Sequence, residues 1–272
     1  MKPLYANDLK PHVVALTNQK GGVGKSTTAL NLAAAFADEG SRVLLLDLDP
    51  HAGLTFSLGY DEPEKAFEHT AKDIFDPETS LPLKAATVST KISGVDLVPS
   101  HQDLVDVDYQ LLNQPDWAWM VQKRIRDTGQ TYDWVLIDCP PSLGILTRMA
   151  IVAAHLAVVP VQAEWLAVRG LQLLNRVVGP LCQRTERLDL RVRYVVTMVQ
   201  QTKHHKDIED ELRRVFGEAV FKTVVRRSVR FADSTLAGQP LLLYEQDHQG
   251  AQAYRELAQE IRTYEQATNS SR

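Results

Sequence analysis

The chain has 272 residues, 44% of them hydrophobic, with two cysteines and a net charge of −4. That length suits one large α/β domain or two small ones, and the apolar share is enough for a sizeable core. The charge excludes a uniformly polybasic nucleic-acid binder, and two thiols exclude a disulfide framework. The longest apolar stretch, 150–161, is too short to span a bilayer and is broken by His155 and Pro160.

In chain order, residues 1–11 read as a short arm without the apolar stretch of a signal peptide. HVVALTN (12–18) reads as a buried strand, STTALNLAAAFADEG (26–40) as a helix closed by Gly40, and RVLLLDLD (42–49) as the next strand. The proline-bearing stretch 55–92 reads as loops and short helices. Further strands follow at 95–100, 133–140, 155–162, 192–199 and 220–225. Helical patterns cover 103–128, 143–153, 164–182, 204–216 and 249–264, and 265–272 reads as a polar tail. The apolar runs are continuous rather than alternating, as in strands covered on both faces. Alternating β and α elements predict an α/β fold over 1–272: a single domain with a doubly wound, mostly parallel sheet flanked by helices.

NQKGGVGKST (18–27) sits between the first strand and the first helix, where a phosphate-binding loop belongs. Gly21, Gly22 and Gly24 let the backbone turn tightly around Val23 and aim its N–H groups inward. The helix N-terminus adds the positive end of its dipole. Lys25 is expected to reach the β- and γ-phosphates, with the Ser26 hydroxyl on Mg²⁺ and Thr27 completing the loop. Asp138 ends the apolar strand DWVLID, where a carboxylate can hold Mg²⁺ through water. Asp47 and Asp49 close the second strand. Alternation puts both on one face near the carboxyl edge of the sheet, one to orient the attacking water and one to support the metal shell.

KGGVGKST, LLLDLDP and VLIDCPPSLG together resemble the ParA/MinD group with the deviant Walker A loop. VPVQAEWLAVRGLQLL, VFKTVV and PLLLYEQDHQGAQAY resemble its ParA/Soj branch, and the likeness runs from about 12 to 262. The resemblance implies a deviant Walker A P-loop NTPase using ATP and Mg²⁺, forming a homodimer when ATP is bound. Lys20 would be the signature lysine, reaching the partner's ATP while Lys25 serves its own. Asp49 would position the hydrolytic water, and Asp138 would lie in the Mg²⁺ shell, with Ser26 and Asp49 as the other metal candidates. A cation supplied in trans neutralises developing phosphate charge only once the dimer is assembled.

The resemblance also implies non-specific DNA binding, cargo segregation, a ParB/Spo0J-like activating partner or cargo adaptor, and a cytoplasmic, nucleoid-associated location. Residues 184–230 hold twelve basic and seven acidic residues, a local excess of +5 on a chain of −4. Such a zone is the footprint of phosphate contacts. Arg227 and Arg230, in VVRRSVRFAD, match the family's DNA-contacting segment, and Lys203 and Arg213 are further candidates. Three positions depart from the family pattern: Arg226 replaces a proline near the adenine, Thr202 replaces an arginine, and His51 replaces the glutamine of DPQ. The last favours a relative that positions a protein cargo. Trp117 and Trp119 read as core packing or partner contacts.

A MinD-like membrane-cycling ATPase needs a basic amphipathic end. RELAQEIRTYEQATNSSR is of mixed charge, so no stable membrane association is expected. A ligase of the dethiobiotin synthetase type needs a shaped substrate pocket that the sequence does not mark. An iron–sulfur reductase needs converging cysteines, whereas Cys139 ends a strand as a small buried residue and Cys182 ends a helix. About ten residues precede the first strand, too few for a helix-turn-helix.

Overall fold

Valine, leucine and isoleucine in unbroken runs build the centre of the sheet. The computed structural model describes residues 11–270 other than 77, 80, 112, 113, 165, 166 and 188. The expected arm (1–10) and the last two residues of the expected tail lie outside the described residues. The strands are β1 (His12–Leu16), β2 (Val43–Asp47), β3 (Val88–Ser89), β4 (Val95–Val98), β5 (Trp134–Asp138), β6 (Leu156–Gln162), β7 (Arg191–Val199) and β8 (Val220–Arg226). They form one eight-stranded sheet in the order β3-β4-β2-β5-β1-β6-β7-β8. Every pairing is parallel except β3 with β4. The doubly wound, mostly parallel sheet is therefore as expected, and the short antiparallel strand β3 adds to the loops and helices read over 55–92.

Alternate residues feed opposite layers, which is why the runs are continuous. Val14, Leu16, Val43, Leu45 and Leu136 join one apolar cluster, while Val13, Ala15, Leu44, Leu46, Val135 and Ile137 join another. Helices α1 (Lys25–Asp38), α2 (Gly53–Ser57), α3 (Pro63–Ala66), α4 (Ala71–Phe75), α5 (Leu104–Gln110), α6 (Met120–Arg126), α7 (Ile145–Ala153), α8 (Ala167–Arg184), α9 (Lys203–Phe216), α10 (Arg230–Leu236), α11 (Leu241–Tyr244) and α12 (Gln249–Ser270) connect and cover the strands. α1 and α12 pack together on the first cluster, where Phe36 stacks on Trp134 at 4.2 Å between ring centroids. α4, α5, α6 and α7 contribute to the second. The chain leaves β1 toward β2 on one side and later crosses to β6 on the other, so the loop after β1 lies at the topological switch point.

Two expectations need correction. The helix read over 103–128 is two helices with a 3₁₀ turn (Trp117–Trp119) between them, because Pro115 lacks an N–H and disfavours helical backbone before it. Residues 265–270, read as tail, continue α12, and Glu265 is buried. Pro160 lies within the strand read over 155–162, as expected; it is tolerated because the β1 ladder has already stopped at Leu16↔Val158, and its carbonyl accepts from the Asn18 amide at 2.7 Å. Trp117 packs against the second cluster, as core packing requires. Among the described residues no helix is long and apolar enough to cross a membrane.

Candidate functional site

The loop between β1 and α1 holds the phosphate-binding candidates read from the sequence. Gly22 and Gly24 adopt left-handed φ of 73° and 91°, which other residues reach only with strain. Gly24 is the N-cap of α1, and no side chain caps the helix. The amides at its start are thus an anion site with the helix dipole behind them. Lys25 is buried at the first helical position. The Thr197 hydroxyl donates to the Val23 carbonyl at 2.9 Å, tying the loop to β7.

Register brings Asp47 and Asp138 side by side at the carboxyl ends of β2 and β5, with Leu16 on the other side of Asp138. Asp138 is fully buried, and neither carboxylate oxygen accepts a hydrogen bond of normal geometry. Burial first, and then the Asp47 charge, holds its pKa well above the carboxylate range, while Ser26 and Lys25 pull it down. A buried acid without partners, below a hydroxyl and a lysine, fits a cation better than an empty core position. Gly53 makes room for that hydroxyl, since a Cβ there would meet Ser26 Oγ at 3.2 Å. Among the described residues no three His, Cys, Asp or Glu side chains form a metal cage. The unpartnered Asp138 carboxyl with the Ser26 hydroxyl beside it fits Mg²⁺, which keeps several waters and shares phosphate oxygens.

Asp47 and Asp49 do not act as a matched pair, contrary to the strand-alternation reading. β2 ends at Asp47, whose carboxylate accepts from Asp49 N (3.1 Å), Thr55 N (2.9 Å) and Thr55 Oγ1 (2.8 Å). It anchors the turn into α2, and burial pushes its pKa up to about 7 despite the Thr55 hydrogen bonds. Asp49 instead lines a cavity of about 340 Å³ with Gly21, Gly22, Gly24, Lys25, Ser26, Thr27, His51, Pro141 and Met198. A second cavity of about 420 Å³ adjoins the same loop, walled by Val225, Arg226, Arg227, Phe231, Thr235 and Tyr254. The first has the groups for a triphosphate and the second the apolar walls for a base. Arg226, the departure from proline, is in the base-side wall.

Lys20 does not point into the cavity of its own chain. Its Nζ meets Gln162 Oε1 at 3.1 Å and Glu164 Oε2 at 2.5 Å, and the pair is half-exposed. Arg227 is exposed at the turn after β8, and Lys203 is exposed at the start of α9. Arg230 is half-exposed and pairs with Asp233 and Glu245, each at 3.2 Å. Arg213 requires correction as a DNA-contacting candidate. Its guanidinium bonds Glu209 at 2.8 Å, Phe221 O at 3.0 Å and Lys222 O at 3.2 Å. Arg213 thereby covers carbonyls of the edge strand β8, while Glu260 accepts from Lys222 N and Thr223 N at 2.8 and 2.7 Å. Arg187 is also internal, paired with Asp189 at 2.9 Å, so the basic zone is thinner than its composition suggests. Thr202 caps α9 through His205 N at 3.2 Å, a structural role for that departure.

Two features had no sequence signal. Met198 has φ of 55° in β7 and lines both cavities, a strained position that methionine does not advertise. Tyr254, from α12, reaches Thr28 of α1 at 3.1 Å below the base-side cavity.

Comparison with known proteins shows the family and the fold. Residues 11–192 match the family described as AAA domain. The chain is similar to the sporulation initiation inhibitor protein Soj of Bacillus subtilis, 36% identical over 254 residues, covering 92% of this chain and 97% of that protein. It is similar to the chromosome partitioning protein ParA of Caulobacter vibrioides, 37% identical over 266 residues, covering 95% and 96%. Among solved structures, cobyrinic acid a,c-diamide synthase from Mycobacterium smegmatis with bound ADP and magnesium superposes with a TM-score of 0.82 at 32% identity, covering 95% and 96%. A putative plasmid partition protein from Borrelia burgdorferi bound to AMPPNP shares the fold, with a TM-score of 0.78 at 21% identity and coverage of 94% and 100%.

Proposed function

The chain belongs to the ParA/Soj-type P-loop ATPases, and we propose that it is a Mg²⁺-dependent ATPase that dimerises around ATP, binds DNA without sequence preference in that state, and positions a cargo. The observation that carries this reading is the buried Lys25 at an uncapped helix N-terminus, with the unpartnered Asp138 beneath Ser26.

The loop amides and Lys25 bind the triphosphate, and the adjoining cavity takes the base. Ser26, and Asp138 through water, would hold Mg²⁺, which would supply positive charge to the phosphate oxygens. Asp49 orients the water whose oxygen bonds the γ-phosphorus. The bond to the β–γ bridging oxygen breaks with its electron pair going to ADP, and the proton of the water leaves with the phosphate. Lys20 acts across the dimer. Its pair with Glu164 is exposed and worth at most about 1 kcal/mol, so it is readily exchanged for a phosphate. Arg227, Arg230 and Lys203 form the DNA-facing set, in a protein located in the cytoplasm on the nucleoid and released by a ParB/Spo0J-like partner or cargo adaptor.

Retardation of arbitrary duplex DNA at low salt tests the reading. Binding is expected to need ATP and Mg²⁺, and Arg227→Glu is expected to weaken it at least ~10-fold while ATP-dependent dimerisation survives. DNA binding that ignores ATP, or an unchanged shift in the variant, would contradict it. Turnover that needs a small carboxylic acid and ignores DNA would instead place the chain with metabolic ligases.

A further inference from the structure

The turn after Asp49 holds an interaction that the family resemblance does not supply. Asp49 Oδ1 accepts two hydrogen bonds from His51, one from its backbone N and one involving ring Nδ1, each at 3.0 Å. A carboxylate oxygen only accepts, so the ring proton is on Nδ1. The Asp49 carbonyl is fixed as well, by the Ser100 hydroxyl and by Ala52 N, both at 2.7 Å. Ala52 adopts a left-handed φ of 52° to close the turn. Asp49 is therefore gripped through its carbonyl and through one carboxylate oxygen. Oδ2 carries none of these bonds.

The His51 ring is not a core side chain. It is 83% exposed, yet it lines the same cavity as Lys25, Ser26 and Asp49. A merely solvated histidine has no reason to lie in a phosphate cavity with its Nδ1 on the acid that faces that cavity. The bond is weak while water reaches it and strengthens when a ligand excludes water. Its geometry allows one outcome that matters for chemistry: with Oδ1 occupied, the remaining oxygen is the one presented to a nucleophilic water.

We infer that His51 is a positioning residue for hydrolysis, holding Asp49 Oδ1 so that Oδ2 orients the attacking water. The inference rests on the ATPase reading above and assigns His51 a part in it. The His51–Asp49 contact acts on the reacting geometry and not on nucleotide affinity, because the loop amides and Lys25 bind the phosphates independently.

The test is steady-state ATP turnover of His51→Ala, His51→Phe and His51→Gln beside the wild type, with Mg²⁺ and duplex DNA present. Affinity for a fluorescent ATP analogue is measured in parallel. His51 is exposed, so all three variants are expected to fold. His51→Ala and His51→Phe are expected to lose roughly 10-fold in kcat, with KM and analogue affinity within about 2-fold of wild type. His51→Gln, which keeps a donor for Asp49, should recover most of that loss. In an Asp49→Ala background, His51→Ala should cost nothing further. Wild-type turnover in His51→Phe, or a raised KM at unchanged kcat, would overturn the inference alone. A wild-type chain that hydrolyses no ATP would overturn it together with the proposed function.

Discussion

The two ends of the central strands treat a buried carboxyl in opposite ways. At the carboxyl ends of β2 and β5, Asp138 is buried with no hydrogen-bond partner, Asp47 lies beside it, and Met198 is strained nearby. At the amino ends, Glu265 is buried but meets His12 at 3.6 Å and Arg191 at 3.3 Å, and Arg262 meets Glu39 at 2.7 Å. His155 accepts from Val13 N at 2.9 Å in the same region. One end leaves a buried carboxyl without a hydrogen-bond partner where a ligand can complete it, and the other pairs its buried carboxylate with cations to hold α12 on the sheet. A buried carboxyl with no hydrogen-bond partner opposes folding, so the persistence of Asp138 points to a functional role at that end.

The largest effect that tests this contrast is at Asp138. Asp138→Asn should lower ATP turnover by at least about 100-fold while raising the thermal midpoint of the ligand-free chain. A variant that is inactive and also less stable would show that Asp138 holds the fold together. The counterpart is Glu265→Ala, which removes one member of a buried ion pair. It should cost about 3 kcal/mol in urea unfolding and leave turnover per folded molecule unchanged. A changed kcat at wild-type stability would erase the distinction between the two ends.

The smallest effect is in pH dependence, and its sign differs between the ends. Burial raises Asp47 to about 7, so its folded form favours the proton, and the associated stability is lost as pH rises from about 4 to 7. Burial alone would raise Glu265 too, but the His12 hydrogen bond and the Arg191 charge outweigh it and leave the pKa lowered. Its stability is present above the ordinary glutamate range and is lost in acid. Asp47→Asn should therefore flatten the ligand-free stability profile between about pH 4 and 7, while Glu265→Gln should flatten only the acid limb below about pH 4.5. Matching profiles for the two variants would contradict the assignment.

Much of the functional end was legible in the sequence because its signals are local. Continuous apolar runs mark strands covered on both faces, and the glycine spacing around Lys25 encodes the loop. Asp138 is visible as the acid ending such a run. The other end was not legible, because its cohesion is between distant residues. Nothing around Glu265 predicts that Arg191, 74 positions away in the chain, draws it inward, so the last turns of α12 read as a tail. Charge counting failed for Arg187 and Arg213 for the same reason: composition records a guanidinium but not the carbonyls and carboxylates it meets. His51 stood out by identity alone, and its contact with Asp49 depends on the left-handed turn at Ala52, which an alanine does not announce.

The central claim is that Lys20 serves the partner's nucleotide while Asp49 serves its own. Mixing Lys20→Ala with Asp49→Ala tests it most directly, because each variant alone is inactive in DNA-stimulated hydrolysis if both roles are right. In the mixed dimer one pocket regains a partner Lys20 and keeps its own Asp49. Random pairing should then restore about a quarter of the wild-type stimulated rate. No recovery on mixing, or a wild-type rate from Lys20→Ala alone, would contradict the account.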